Sequence, residues 1–425
     1  MKKTTELFSF IKKSPTAFHT VKAVADRLIK DGYTRLYEND EWKLQPNGKY
    51  FVIRGGASII AFRTVEKALG FTAVATHSDS PCFALKENFQ KSGAYSRLIV
   101  EGYGGMINYS WLDRPLSVAG RVIVKTADGM RETLVDLDKN LLTIPSVAIH
   151  FNRTVNEGLK LNPAVDMLPL YSTSGNADLK GEIAKSLGVK DEEILGFDLF
   201  VYNRDEGSIF GANGELMLCP RLDNLECAFS ALEAFLTAKN SSETVPVLAI
   251  FDNEEVGSQS SHGAGSTFLE DVLYRVAGDR EKYLRMLANG FIVSADNAHA
   301  LHPNHPELSD GDNAPVLNGG VVIKKTASRR YATDGASYAL MEEICRRAGV
   351  KTQVFHNRAD LPGGSTLGAI TDGKVSVPTV DIGFAQLAMH SANETAGSLD
   401  LIEMIKALTE LYSTKIDRHA EIWKF

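Results

Sequence analysis

VPVLAIFDNEEVGS, residues 245–258, decides the fold. VPVLAIF (245–251) is a short apolar run rich in branched side chains, which reads as a strand buried on both faces. An acidic turn follows it directly. The same texture recurs in FTAVAT (71–76), GFIVSAD (290–296) and VPTVDI (377–382). Helical spacing separates the later runs, at 224–238 and 334–348, and a further helix at 398–415 follows the last. Strands alternating with helices imply a mainly parallel sheet with helices on both faces, an α/β architecture.

Working outward, the first forty residues read helical. Ser14-Pro15-Thr16 marks a helix start, and Phe18, Val21, Ala25, Leu28 and Ile29 supply an apolar face. Strands are expected at about 50–54 and 57–63. From about 85 to 215 the texture changes to short alternating runs such as RLIVEGYGG and GRVIVKTA, broken by glycines and polar turns, which reads as β-rich. The expected organisation is an α/β domain formed by residues 1–84 and 216–425, with a β-rich domain, 85–215, inserted between its halves.

Composition narrows the function. The 425 residues carry 46 basic and 53 acidic side chains, a net charge of −7 with no long basic run, which disfavours a nucleic-acid partner. No stretch is long and apolar enough to span a membrane. The N-terminus has lysines but no continuous apolar segment, so no secretory signal is read there. Cys82, Cys219, Cys227 and Cys345 form no CxxC pair and are too sparse for a disulfide framework, so free thiols and a cytoplasmic location are expected.

The metal-capable residues fall at strand ends. His77 and Asp79 follow FTAVAT, Glu254 and Glu255 follow VPVLAIF, Asp296 ends GFIVSAD, His390 lies soon after VPTVDI, and Asp223 opens the helix at 224–238. Ligand sites in open α/β sheets form beyond the carboxyl ends of the strands, so these residues can meet in one crevice. Imidazole and carboxylate ligands suit zinc, with cobalt or manganese as substitutes. A metal pair needs an anionic bridge, for which Asp223 is the candidate. Of Glu254 and Glu255, one can bind metal while its neighbour takes a proton from activated water, and Asp79 can hold the His77 imidazole. Taken singly, each has a plainer reading: Asp223 as a helix N-cap, Glu254–Glu255 as a solvated turn, Asp296 as a turn cap, the histidines as buried structural groups.

At these residues the sequence resembles the aspartyl aminopeptidase family of co-catalytic zinc metallopeptidases. ATHSDSP, PRLDNLECAF, FDNEEVGS, SADNAHALHPN, RRYATDGAS and QLAMHSANE occur in the family's order, with SPTAFHTV and IPSVAIHFNR as further matches. The resemblance implies two zinc ions per subunit. His77, Asp223 and Asp296 would hold one; Glu255, His390 and the bridging Asp223 the other. Glu254 would be the general base and Asp79 would orient His77. His150 would reach a neighbouring subunit's site and support the oxyanion, within tetrahedral dodecamers built from dimers through the inserted domain. Lys324 would contact an acidic substrate side chain, so Asp or Glu would be removed from peptides with a free N-terminus. The stretch KTASRRYATDG after Lys324 departs from the family form, and the family includes less acid-selective enzymes. The alternatives are a broader aminopeptidase, another dinuclear amidohydrolase, and a non-catalytic assembly or cargo protein.

Other patterns carry less. His299, His302 and His305 are three apart, but Pro303 and Pro306 prevent a helical face, and they read as loop residues. EGYGGM (101–106) reads as a turn. There is no HExxH, and PGGSTLG (362–368) lacks GxSxG spacing. His19, His262, His356 and His419 read as surface or structural.

Overall fold

A computed structural model describes residues 2–175, 177–239, 243–361 and 363–425; Pro362 of PGGSTLG thus lies outside it. Nine strands form one mixed sheet. Their spatial order is Thr34–Leu36, Lys49–Arg54, Ser58–Arg63, Thr244–Phe251, Gly70–His77, Phe291–Ala295, Thr379–Gly383, Val321–Lys324 and Thr352–Phe355. Five of its eight pairings are parallel and three antiparallel.

The apolar runs are buried on both faces, and their alternation shows why. Val245, Val247, Ala249 and Phe251 pack on one side, with Phe268, Leu269, Tyr283, Met286 and Leu367 from the helices Phe268–Ala277, Arg280–Ala288 and Leu367–Val375. Leu248 and Ile250 point to the other side. There they meet Leu225, Phe229, Met341 and Leu408 from the helices Leu222–Thr237, Gly335–Ala348 and Asp400–Ser413. A period-2 strand with apolar residues on both faces must be covered twice, and helices cover it.

The N-terminal segment folds as Lys2–Lys12 and Ala17–Lys30, with Thr16 at the N-cap position. Phe18, Val21, Ala25 and Leu28 are buried as the spacing predicts. Ile29 is instead 57% exposed and Val24 takes its place, because the helix presents a 21–24–25–28 stripe to the sheet.

A second sheet is antiparallel throughout, in the order Gly129–Asp136, Leu116–Thr126, Ile194–Asn203, Cys82–Lys91, Ser96–Tyr103 and Leu170–Ser172. It has its own core, including Phe83, Leu98, Trp111, Val118 and Leu199. A third, five-stranded sheet joins Ser208–Phe210 and Leu216–Cys219 to Glu394–Gly397, Ala385–Leu387 and Ala298–His299. Among the described residues no helix is long and apolar enough to cross a membrane, and the four cysteines are unpaired.

His19 supplies a test of this packing. Its Nδ1 lies 2.9 Å from Thr16 Oγ1, and burial pushes its pKa down to about 4 despite the field of Asp136. The unfolded chain therefore binds the extra proton between pH 6.5 and 4, so the stabilisation is present above 6.5 and is lost as pH falls. Wild-type stability in urea should fall about 2 kcal/mol more than that of His19→Gln between pH 7 and 4.5. Parallel pH profiles would contradict the assignment.

Candidate metal centre

The parallel neighbours Thr244–Phe251, Gly70–His77, Phe291–Ala295 and Thr379–Gly383 end on one edge of the large sheet. His77 is the last residue of its strand, Glu254 and Glu255 form the turn after theirs, and Asp296 directly follows its own. Asp223 enters from the helix Leu222–Thr237, where its backbone is non-helical and Arg221 occupies the N-cap position. Its Oδ1 takes no hydrogen bond from the helix N–H groups. Asn224 pins this helix start to two strand ends, donating to Thr76 Oγ1 (2.9 Å) and the Ala295 carbonyl (2.8 Å).

The two Asp223 oxygens face different histidines. Oδ1 lies 3.5 Å from His77 Nε2 and Oδ2 lies 3.6 Å from His390 Nε2. His77 Nε2 is also 3.5 Å from Asp296 Oδ1, and His390 Nε2 is 3.3 Å from Glu255 Oε2. The ligand atoms of His77, Asp223 and Asp296, and those of Asp223, Glu255 and His390, each cluster within 4.8 Å.

These separations fit zinc. Bonds of 2.0–2.2 Å at tetrahedral angles set neighbouring ligands about 3.4 Å apart, too far for a good hydrogen bond but right for a shared cation. Both histidines turn Nε2 inward because the Nδ1 sides are engaged, His77 with the Asp79 carbonyl (3.1 Å) and His390 with the Gly105 carbonyl (2.7 Å). Asp223 Oδ1 and Glu255 Oε1 are buried with no hydrogen-bond partner, as donor atoms aimed at a cation would be.

Electrostatics point the same way. Burial pushes Glu254 up to about 8, with Asp296, Asp79 and Asp223 adding and His77 opposing. Burial and Asp223 also push Glu255 well above the usual carboxylate range. Burial works against a charged His390, yet Asp223, Glu255 and the Gly105 carbonyl lift it to about 10. Carboxylates crowded out of water repel one another, and divalent cations relieve that repulsion.

Asp79 organises the turn. It accepts the Tyr103 hydroxyl (2.7 Å) and the backbone N–H groups of Glu254 and Glu255 (both 3.2 Å). Tyr103 and Gly105 belong to EGYGGM, read from sequence only as a turn. Gly104, at φ +76°, lets this segment approach Glu255 and Pro81 closely. A backbone carbonyl has no sequence signature, so the Gly105 contact left no signal.

Of the remaining expected residues, Lys324 touches a ligand group and His150 does not. Lys324 is 1% exposed, and its Nζ donates to Asp296 Oδ2 (3.2 Å) and the Asn297 carbonyl (3.1 Å). His150 sits in an exposed turn outside the two ligand groups. His299 and His302 line a 280 Å³ cavity with His356, Arg358 and Ala388–Met389, the residues directly before His390, and no Asp or Glu lines it. His305 pairs with Glu307, and His262 with Asp252.

A family model described as Aminopeptidase I zinc metalloprotease (M18) matches residues 10–412. The chain belongs to the M18 family. It is a zinc metalloaminopeptidase, a hydrolase of peptide bonds. A probable M18 family aminopeptidase 2 of Clostridium acetobutylicum is 43% identical over 96% of this chain and 98% of its own length. The cryo-EM structure of the Ape4 and Nbr1 complex contains a chain that superposes with TM-score 0.91 at 35% identity, covering 96% of this chain and 85% of that one. The S. cerevisiae mApe1 dodecamer matches with TM-score 0.84 at 29% identity, covering 96% and 95%. M18 relatives of this fold share the α/β architecture expected above.

Proposed function

We propose that this M18 aminopeptidase removes N-terminal Asp or Glu from unblocked peptides with two zinc ions per subunit. One ion would be held by His77, Asp223 and Asp296, the other by Asp223, Glu255 and His390. The observation that carries this reading is the pair of ligand groups sharing Asp223, each of whose oxygens faces its own histidine. Bound there, zinc would polarise the scissile carbonyl and lower the pKa of a water toward about 7.

Glu254 is the general base in this reading. Its backbone is held by Asp79 and neither of the two groups built on Asp223 includes it, which leaves the side chain to take a proton and hand it to the leaving nitrogen; it also groups with His77 and Glu255, so it stands beside the metal ligands. Asp79 fixes the His77 ring and the Glu254–Glu255 turn together. Substrate carboxylates are favoured by the cavity beside His390, whose lining holds Arg358 and three histidines without an acid. Lys324 would reach substrate only by leaving Asp296, and that pairing is the observation favouring the broader-specificity alternative.

Residues 85–215 are proposed to form the inserted dimerisation domain. The turn around His150 exposes Val147, Ile149 and Phe151, the last at 87%. Contiguous exposed apolar side chains suit a subunit interface, which would carry His150 to a neighbour's oxyanion in a tetrahedral dodecamer. The mApe1 homologue is a dodecamer, which supports this.

Arylamides of Asp, Glu, Leu and Lys test the specificity. Asp and Glu should exceed Leu in kcat/KM at least about tenfold, about 1.4 kcal/mol of discrimination. Equal or better turnover of Leu would remove the acidic preference and leave the aminopeptidase standing. An N-acetylated Asp substrate should remain uncleaved; its hydrolysis would favour another amidohydrolase.

A further inference from the structure

We propose that Glu394 is a positioning residue of the metal centre, whose single carboxylate sets Asp223 and His390 in register with each other. This rests on the reading that those two residues share a zinc ion. Glu394 Oε2 accepts the backbone N–H of Asp223 (2.9 Å), and Oε1 accepts the backbone N–H of His390 (2.7 Å). Among the described residues, no other side chain accepts from the backbone of both.

The placement follows from strand pairing. Glu394 opens the strand Glu394–Gly397 and pairs with Cys219 of Leu216–Cys219, four residues before Asp223. The turn that carries His390 ends at the same point. Both backbones are irregular there: Asp223 has ψ 108° inside a helix and His390 has φ +66°. An N–H at a helix start has no intrahelical acceptor, so Asp223 needs an outside partner. His390, off regular structure, needs one as well.

The residue type matters. Glu394 is 1% exposed and stands near Asp223, so a second buried carboxylate costs Coulomb energy. A glutamine would lighten that cost but has one acceptor oxygen, and its NH2 would meet a backbone N–H donor to donor. Only the carboxylate accepts from both sides. Gly105 and Ser110 anchor the His390 loop at other points, but neither touches Asp223. Glu226, also fully buried, has both oxygens without a partner and provides the contrast: a buried carboxyl nearby that positions no ligand.

The test is zinc content and zinc release to a chromophoric chelator, on the assembled full-length wild type, Glu394→Gln and Glu226→Gln. Wild type should hold two zinc ions per chain. Glu394→Gln should bind the Glu255–His390 ion, which loses the support of two ligands, about 10- to 100-fold more weakly, and the His77–Asp296 ion, which shares only Asp223, less so. Its kcat should fall with the lost ion while KM changes little. Glu226→Gln should match wild type in both ions.

Wild-type stoichiometry and release rate in Glu394→Gln would overturn the proposal. Loss of both ions together with the cooperative melting transition would also overturn it, since that marks general unfolding. If Glu394→Gln is recovered only with excess zinc, the result supports the proposal; if zinc does not recover it, the residue is merely structural and the proposal fails. Fewer than two ions in wild type defeats the two-zinc reading itself, a separate outcome.

Discussion

Glu254→Gln should lower kcat by about three orders of magnitude while both zinc ions stay bound. General base catalysis contributes roughly 10²–10⁴-fold, and Gln is isosteric but cannot take a proton. The backbone at this position is held by Asp79 and the ligand groups built on Asp223 do not require the Glu254 side chain. KM should change little, because a proton acceptor acts in the transition state rather than in substrate binding. Measured kcat within tenfold of wild type, with zinc retained, would move the base elsewhere. Loss of zinc would instead make Glu254 a ligand, an outcome its place in the group with His77 and Glu255 makes worth separating.

Asp223→Asn should have the widest effect on the metal centre. Both ligand groups pass through this side chain, so one substitution weakens both. Asn supplies one oxygen, no charge and an NH2 group that would face one of the two histidines. Zinc content should fall below one ion per chain under conditions that saturate wild type, and peptide hydrolysis should fall to background. Stability responds by linkage. At 100 times the dissociation constant, each bound ion adds about 2.7 kcal/mol to the wild type. Melting temperature should therefore rise with added zinc in wild type and stay flat in Asp223→Asn. Two retained ions and an unchanged melting response would show that Asp223 does not bridge.

The strands were legible because burial on both faces forces continuous apolar runs, as at Val245–Phe251, and the candidate ligands were legible because metal-capable residues gather where such strands end. His77, Glu254, Glu255 and Asp296 needed only that rule. Asp223 was ambiguous, since a helix start favours Asp for capping as well; the fold turns its two oxygens to two histidines, which supports the proposed bridge. The supporting groups were not legible. Glu394 acts on backbone N–H groups, Tyr103 on Asp79, and Gly105 through a carbonyl, and each contact joins segments far apart in the chain. Lys324 shows a different limit. Spacing alone could not reveal that its charge is buried against Asp296 rather than open to solvent. The exposure of Ile29 is a simple error of phase at a helix end, where one residue's rotation moves a side chain from the core to water.

Anomalous scattering at the zinc edge, from crystals of the zinc-loaded protein, tests the shared ligand most directly. Two peaks per chain are expected, roughly 3.5–4 Å apart, one between His77 and Asp223 Oδ1 and the other between His390 and Asp223 Oδ2. A single peak, or two peaks of which either lies out of reach of Asp223, would contradict it.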